Sequence, residues 1–326
     1  MPTSKPTKTP DTCAFYKRVA GRLERHAEQM QNRGDLGNLT DLNLRLAMAY
    51  RDLEPTVQSS TAKIYRLAAV NAISLQPGPY DSEAMAILDP EMSPEEAERL
   101  HHVTQVRNAT LTVARGAQQK AKHLSPHDWN TLLTALLVSK SQGGPLASTW
   151  LTATLTTGLR PCEWEDAKLV GCELVVKNAK NTNGRAHSPF RTINLSQVPA
   201  EVRAVIQDLL DEVSNISASD FSKKYTDTRK AIWSTARRVF KGRRTFPTIY
   251  TARDCFAARA KSTFPKDYVA ALMGHASIFT AARHYAPARH ARGQMPLDVE
   301  PSFKDIDAVR RASAAKGFLL SRDREP

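Results

Sequence analysis

The chain has 326 residues, 41% hydrophobic and 24% charged, which suits two ordinary globular domains. Its net charge of +13 and pI near 9.7 point to a polyanionic partner. The four cysteines are scattered and form no CxxC pair, so neither a disulfide framework nor a zinc site is indicated, and no apolar run approaches the ~18 residues of a membrane span.

In chain order, residues 1–11 are rich in Pro, Thr and Lys. They read as a disordered lead-in without the apolar stretch of a signal peptide. Residues 12–115 read as a helical domain. Phe15, Val19 and Leu23 share one face, Leu42, Leu46 and Ala49 another, and Ile64, Leu67, Val70 and Ile73 a third. The third stretch also carries Lys63 and Arg66. Pro77-Gly78-Pro79 breaks the chain, and Ser93-Pro94-Glu95-Glu96 has the Ser, Pro and Glu of a helix start.

Residues 116–124 form a basic linker before a second start at Ser125-Pro126-His127-Asp128. The span 125–300 reads as a second domain. A helix of 146–157 is followed by a change of period: 174–176 and 190–195 read as strands, with Asn181-Thr182-Asn183-Gly184 as the turn between them. Helices resume to about residue 286. A tail of 301–326 places Ile306, Val309 and Ala312 at helical spacing.

The positive charge is concentrated. Residues 221–261 hold twelve Lys or Arg, Arg243 and Arg244 among them, against Asp227 and Asp254 alone. Residues 104–123 hold Arg107, Arg115, Lys120 and Lys122 and no acid. Such stretches fit contacts to DNA phosphates, which position a duplex and carry little sequence information.

The chemistry is concentrated too. Thr157-Gly158-Leu159-Arg160-Pro161-Cys162-Glu163 closes the buried helix. Tyr250-Thr251-Ala252-Arg253 lies in the basic stretch. Leu272-Met273-Gly274-His275 follows, and Tyr285 comes ten residues after His275. A phosphodiester resists attack. Without a metal it needs cations on its non-bridging oxygens, an in-line nucleophile and an acid for the leaving oxygen. An arginine suits the first role, because its fork gives two parallel hydrogen bonds and stays charged. Glu163, three residues after Arg160, is placed to hold the guanidinium. Read alone, each of these residues also has a plain structural explanation; the combined spacing is what is specific.

Together the motifs resemble the tyrosine recombinase (phage integrase) family. The motifs cover about 124–286; over the N-terminal half the likeness is one of helicity, charge and length. The resemblance implies a mainly α fold, a two-domain clamp on duplex DNA. A helical N-terminal core-binding domain precedes a mixed α/β catalytic domain with a small antiparallel sheet. It makes Arg160 and Arg253 the phosphate-binding arginines, His275 the third-box histidine and Tyr285 the nucleophile, ahead of Tyr250 and Tyr268. The family's hairpin lysine, which protonates the leaving 5′ oxygen, falls on Lys180, with Lys177 as rival. The second box departs from the usual His-x-Leu-Arg-His and keeps only the arginine. Tyr250 stands at the first His, as in hairpin telomere resolvases, either donating to the phosphate or packing as a plain aromatic.

The resemblance also implies strand cleavage through a 3′-phosphotyrosyl link, with no metal and no cofactor. The implied partners are a double-stranded recombination site, further copies of the chain as a homotetramer in synapsis, with a monomer or dimer when free, and an accessory DNA-binding protein. The location is cytoplasmic, at a bacterial nucleoid, without a membrane, and the tail would contact a neighbouring subunit. Three roles stay open: integration and excision of a mobile element, cointegrate resolution, and chromosome dimer resolution. So do a hairpin telomere resolvase, a type IB topoisomerase and a DNA-binding relative without catalysis.

Overall fold

The computed structural model describes residues 10–90, 119–179, 181, 186–280, 285–291, 294 and 296–322. The expected helix start at 93–96, together with Arg107, Arg115 and Lys180, lies outside these residues. The chain forms two compact units that divide between residues 117 and 118.

The first unit contains α1 (Pro10–Arg33), α2 (Leu42–Leu53), α3 (Ser59–Leu75) and α4 (Asp81–Leu88). Their apolar faces meet at Leu23, Leu46, Ala47, Ala69, Ile73, Ala84 and Leu88. Asp41 caps α2, its side chain accepting from Leu44 N at 2.9 Å. The break at Pro77-Gly78-Pro79 is bound from inside. Buried Asn43 donates to Gln76 O at 3.0 Å and to Asp81 Oδ1 at 2.7 Å, so the ends of α3 and α4 are satisfied by one side chain.

The second unit begins with β1 (Gln119–Lys120), which pairs in parallel with β5 (Thr245–Phe246). The stretch 116–124 was expected as linker, and of it residues 119–124 are described. Those described residues pack in this unit, where the apolar Ala121 and Leu124 are buried. Next come α5 (Pro126–Leu137), α6 (Gly144–Thr157), β2 (Lys168–Val170), β3 (Glu173–Lys177) and β4 (Phe190–Asn194). They are followed by α7 (Ala200–Val213), α8 (Ala218–Val239), α9 (Ile249–Thr263), α10 (Lys266–Met273), β6 (Glu300–Pro301) and α11 (Phe303–Arg322). Ser125 caps α5 by accepting from Asp128 N at 3.1 Å, with Pro126 in the first turn.

The unit is mainly α with one antiparallel sheet in the order β2-β3-β4-β6. β3 and β4 are in register from Glu173↔Asn194 to Lys177↔Phe190. The short edge strands β2 and β6 were not anticipated from the sequence. α6 packs against α5, α7, α8 and α9 and buries Trp150 completely. Burying a tryptophan of ~200 Å² is worth roughly 5 kcal/mol before conformational entropy is counted, so α6 is a fixed platform.

The tail helix α11 is engaged within its own chain. Ile306 and Val309 pack on Ala270 and Ala271 of α10, and Arg310 pairs with Asp267 at 2.8 Å. Asp305 bonds His187 Nε2 at 3.0 Å and accepts from Thr192 N at 2.8 Å, which ties α11 to the sheet.

α6 ends at Gly158, whose φ of 68° is left-handed and whose N–H donates to Thr154 O at 2.8 Å. A Cβ there would run into the Phe256 ring of α9. Gly158→Ala is therefore expected to cost about 2–5 kcal/mol, combining left-handed strain with overpacking. Urea unfolding of the variant beside the parent chain measures it.

Candidate active site

The left-handed turn at Gly158 sends the chain away from α6 and leaves Arg160 extended, at φ −72° and ψ 151°. A short 3-10 turn, Pro161–Glu163, then brings Glu163 back under Arg160. The Arg160 N–H donates to Glu163 Oε2 at 2.7 Å, and Arg160 Nη1 donates to Oε1 at 2.6 Å.

Two more guanidiniums meet the same carboxylate. Arg191 reaches it from β4, with Nη2 to Oε2 at 2.8 Å and Nη1 to Oε1 at 3.2 Å. Arg253 reaches it from α9, its Nη1 lying 3.8 Å from Oε2. Arg253 Nη1 also donates to Gly158 O, and its Nη2 to Met273 O at 3.0 Å. All four side chains are buried. Burial alone would raise the Glu163 pKa; the guanidiniums of Arg191, Arg253 and Arg160 outweigh it and hold the carboxyl well below its usual range. Burial and neighbouring Arg160 push the Arg253 pKa down, but a guanidinium remains charged. Three cations around one carboxylate leave a formal surplus of two positive charges in a desolvated place. An arrangement of that sign accommodates an anion.

Gly274 ends α10 with a φ of 69°. A Cβ there would strike Asn178 Oδ1 and would come within 2.8 Å of Arg191 Nη1, so only glycine lets this turn close on the cluster. The turn delivers His275, which is 3% exposed. Among the described residues neither of its ring nitrogens has a hydrogen-bond partner. Burial, then Arg253, Arg160 and Arg191, lower its pKa to about 2, so the imidazole is neutral at ordinary pH.

The Tyr285 ring lies beside it, with centroids 5.5 Å apart and planes inclined by 32°. Tyr285 Oη accepts from Arg253 Nε and Nη2, both at 3.2 Å. Lys261 of α9 donates to the carbonyls of Tyr285 and Ala286 at 3.2 and 2.8 Å, and Ala286 packs with Ala258 and Ala291. The backbone of Tyr285 is thereby fastened to the helix that carries Arg253.

Arg160, Glu163, Arg253, His275 and Tyr285, chosen from separated motifs, thus stand in one cluster. Tyr250 lies on the same helix as Arg253. It is 41% exposed, and Lys120 Nζ sits 5.2 Å from its ring centroid. Burial raises its pKa, while Arg253 and Arg160 oppose the rise. Lys120 is also paired with Asp254 at 2.7 Å. Lys177 is exposed and pairs with Asp166 at 2.8 Å.

Of the residues expected to touch DNA, Lys63, Lys122 and Arg244 are exposed. Arg66 is paired with Asp89 at 2.7 Å, and Arg243 holds Asp128 through Nη1 at 3.1 Å and Nη2 at 2.8 Å. α8 exposes Lys223, Arg229, Lys230, Arg237 and Arg238 around Trp233, itself 52% exposed, and Arg237 lies 4.9 Å from that ring.

Sequence reasoning missed Arg191, Asn178 and Lys261. Arg191 had a signal: in a strand of period two it shares a face with Ile193, which is inward. Among the described residues no group of three or more His, Cys, Asp or Glu side chains is placed to hold a metal ion. In the same residues no helix is long and apolar enough to cross a membrane.

Several solved structures are similar to this chain. One is a lambda integrase dimer bound to a core site, at 16% identity and a TM-score of 0.45, covering 88% of this chain and 91% of that one. Another is the protelomerase TelA covalently complexed with substrate DNA, at 16% identity and 0.47, covering 90% and 94%. A third is the Tn1549 transposon integrase with a circular-intermediate DNA, at 14% and 0.44, covering 85% and 99%. The three are tyrosine recombinase-fold proteins. No family model matches the chain, and no curated protein matches it.

Two outcomes test the electrostatics. Glu163→Gln removes the shared anion from three buried cations and is expected to cost roughly 3–5 kcal/mol in denaturant unfolding. His275 produces a pH dependence. Its folded pKa lies below the unfolded value near ~6.5, so below that pH the unfolded chain binds a proton that the folded chain refuses. Stability is lost as pH falls, by about 2 kcal/mol from His275 between pH 7 and 5. His275→Gln should flatten the pH–stability curve by that amount.

Proposed function

We propose that this chain cleaves and rejoins DNA strands at specific sites through a 3′-phosphotyrosyl intermediate on Tyr285. One observation carries the reading. The Tyr285 hydroxyl sits on the Nε–Nη2 edge of Arg253, beside the His275 ring, whose nitrogens have no hydrogen-bond partner among the described residues, in a buried cluster with surplus positive charge. A phenol of pKa near ~10 is a weak nucleophile at neutral pH, and adjacent guanidiniums favour its anion. Arg160 and Arg253 would clamp the non-bridging oxygens of the scissile phosphate, with His275 supplying a further hydrogen bond.

The steps balance without an outside reductant or energy source. The phenol oxygen forms the bond to phosphorus, and its proton leaves to solvent, a loss that the adjacent guanidiniums favour. The bond to the 5′ oxygen breaks, and that oxygen takes a proton from an acid, a role proposed for Lys180. A 5′-hydroxyl from the partner duplex reverses both transfers. The bond energy is kept in the phosphotyrosyl link, so rejoining needs no nucleotide.

The substrate is duplex DNA on this reading. The exposed cations of α8, with Lys122 and Arg244, suit a phosphate backbone, and Trp233 among them offers an aromatic face.

Tyr285→Phe is expected to abolish the covalent adduct on a nicked duplex while leaving binding intact, because only the hydroxyl is lost. Arg160→Ala and Arg253→Ala should each slow adduct formation about 10²-fold or more. Gel trapping and peptide mapping read both, and an adduct mapped to Tyr250 or Tyr268 would sink the assignment. Binding should weaken with salt at a log–log slope of about −0.9 per phosphate contact. A flat salt titration would mean the exposed α8 cations do not meet DNA.

A further inference from the structure

Arg191 stands where three parts of the second unit meet. It comes from the second residue of β4, opposite Val176 of β3. Its fork grips both oxygens of Glu163. Its Nη1 also donates to Asn178 Oδ1, and Asn178 in turn donates to Ser188 O at 2.8 Å. The same Nη1 lies against the Gly274 turn that delivers His275, where a Cβ would come within 2.8 Å of it. The side chain is wholly enclosed, with 0% of it exposed.

The three arginines are therefore not equivalent. Arg253 turns its Nε–Nη2 edge to the Tyr285 oxygen. Arg160 is joined to Glu163 through Nη1 and its own backbone N–H. Arg191 has both Nη atoms committed to the carboxylate and faces the Gly274 turn. It meets no reacting atom, yet it fixes the carboxylate that orients Arg160.

We propose that Arg191 is a positioning residue for the phosphodiester reaction: its fork locks Glu163, and through it the Arg160 guanidinium, in register with the sheet and the His275 turn. This rests on the reading of the site as a tyrosine-nucleophile DNA strand transferase. A bidentate grip at two oxygens fixes the carboxylate plane, which a single point charge does not. A displacement of about 1 Å in a reacting group costs on the order of 10²-fold in rate, so a lock of this kind has kinetic consequences.

The carboxylate supplies a readout that a merely structural role would not move. Glu163 faces Arg160 and Cys162 of its own turn, Arg191 of β4, Arg253 of α9 and His275 after α10. Burial acts to raise its pKa, and Arg191 is the largest of the cations opposing that rise. Without Arg191 the carboxyl becomes easier to protonate. A protonated Glu163 releases Arg160, so the rate falls as pH drops through the raised value. In the parent chain Glu163 stays ionised throughout this range.

The test is single-turnover adduct formation on nicked duplex DNA from pH 5 to 8, with the DNA dissociation constant measured alongside. Arg191→Met and Arg191→Lys are each compared with the parent chain. Arg191→Met is expected to be roughly 10- to 100-fold slower at pH 7 with unchanged affinity. Its ratio to the parent rate should fall further toward pH 5. Arg191→Lys restores the charge without the fork, so it should remain slower at a ratio constant with pH.

An Arg191→Met defect with the parent's pH profile would reduce Arg191 to a packing residue and overturn the proposal. So would a parental rate in either variant. Should Arg191→Met fail to fold, Arg191→Lys decides alone, and a parental rate there overturns the need for the fork. A parent chain that forms no adduct, or one away from Tyr285, would instead refute the underlying reading of the site.

Discussion

A single carboxylate shared among three guanidiniums holds this site together. Glu163 accepts from Arg160 and Arg191 within hydrogen-bonding distance and attracts Arg253 at 3.8 Å. These cations arrive from the end of α6, from β4 and from α9. The anion therefore ties together segments that no continuous stretch of sequence joins. Desolvation makes the bond strict, because a buried cation that loses its partner has no water to replace it. The same count leaves positive charge over.

Two glycines make that convergence sterically possible. At Gly158 the backbone passes against Phe256, and at Gly274 against Asn178 and Arg191. Both adopt left-handed dihedrals at the ends of helices. Each lets a helix stop abruptly and hand its next residues to the cluster, Arg160 in one case and His275 in the other. α9 is buried along nearly its whole length, from Ile249 to Ala260, so Arg253 is carried on a rigid element.

Much of this was legible in the sequence. Ser125-Pro126 marked the start of α5, the change of period marked β3 and β4, and the spacing of Arg160, Arg253, His275 and Tyr285 named residues that meet in space. What was not legible depended on partners distant in the chain. Lys120, Arg66 and Arg243 read as free cations, but Asp254, Asp89 and Asp128 claim them, and no local pattern announces such pairs. The segment 116–124 read as linker on its charges, while Ala121 and Leu124 within it are buried. The edge strand β6 is two residues long and contains Pro301, so it has no periodicity to read. Arg191 was hidden by convention: an arginine in a strand reads as outward, although its register with Ile193 turns it in.

The grip of Lys261 on the carbonyls of Tyr285 and Ala286 bears on what moves after a strand is cut. On the proposed chemistry the 3′ side of the break is bonded to a residue whose main chain is moored to α9. That end is held by the protein. The 5′ side has no covalent anchor and keeps only its base pairs. Exchange between duplexes then falls to the 5′ ends, which melt away and seek a new phosphotyrosine, while the protein-bound ends stay as fixed receivers. On that chemistry the covalent link sets the polarity of the exchange, and the grip of Lys261 keeps the linked end in place.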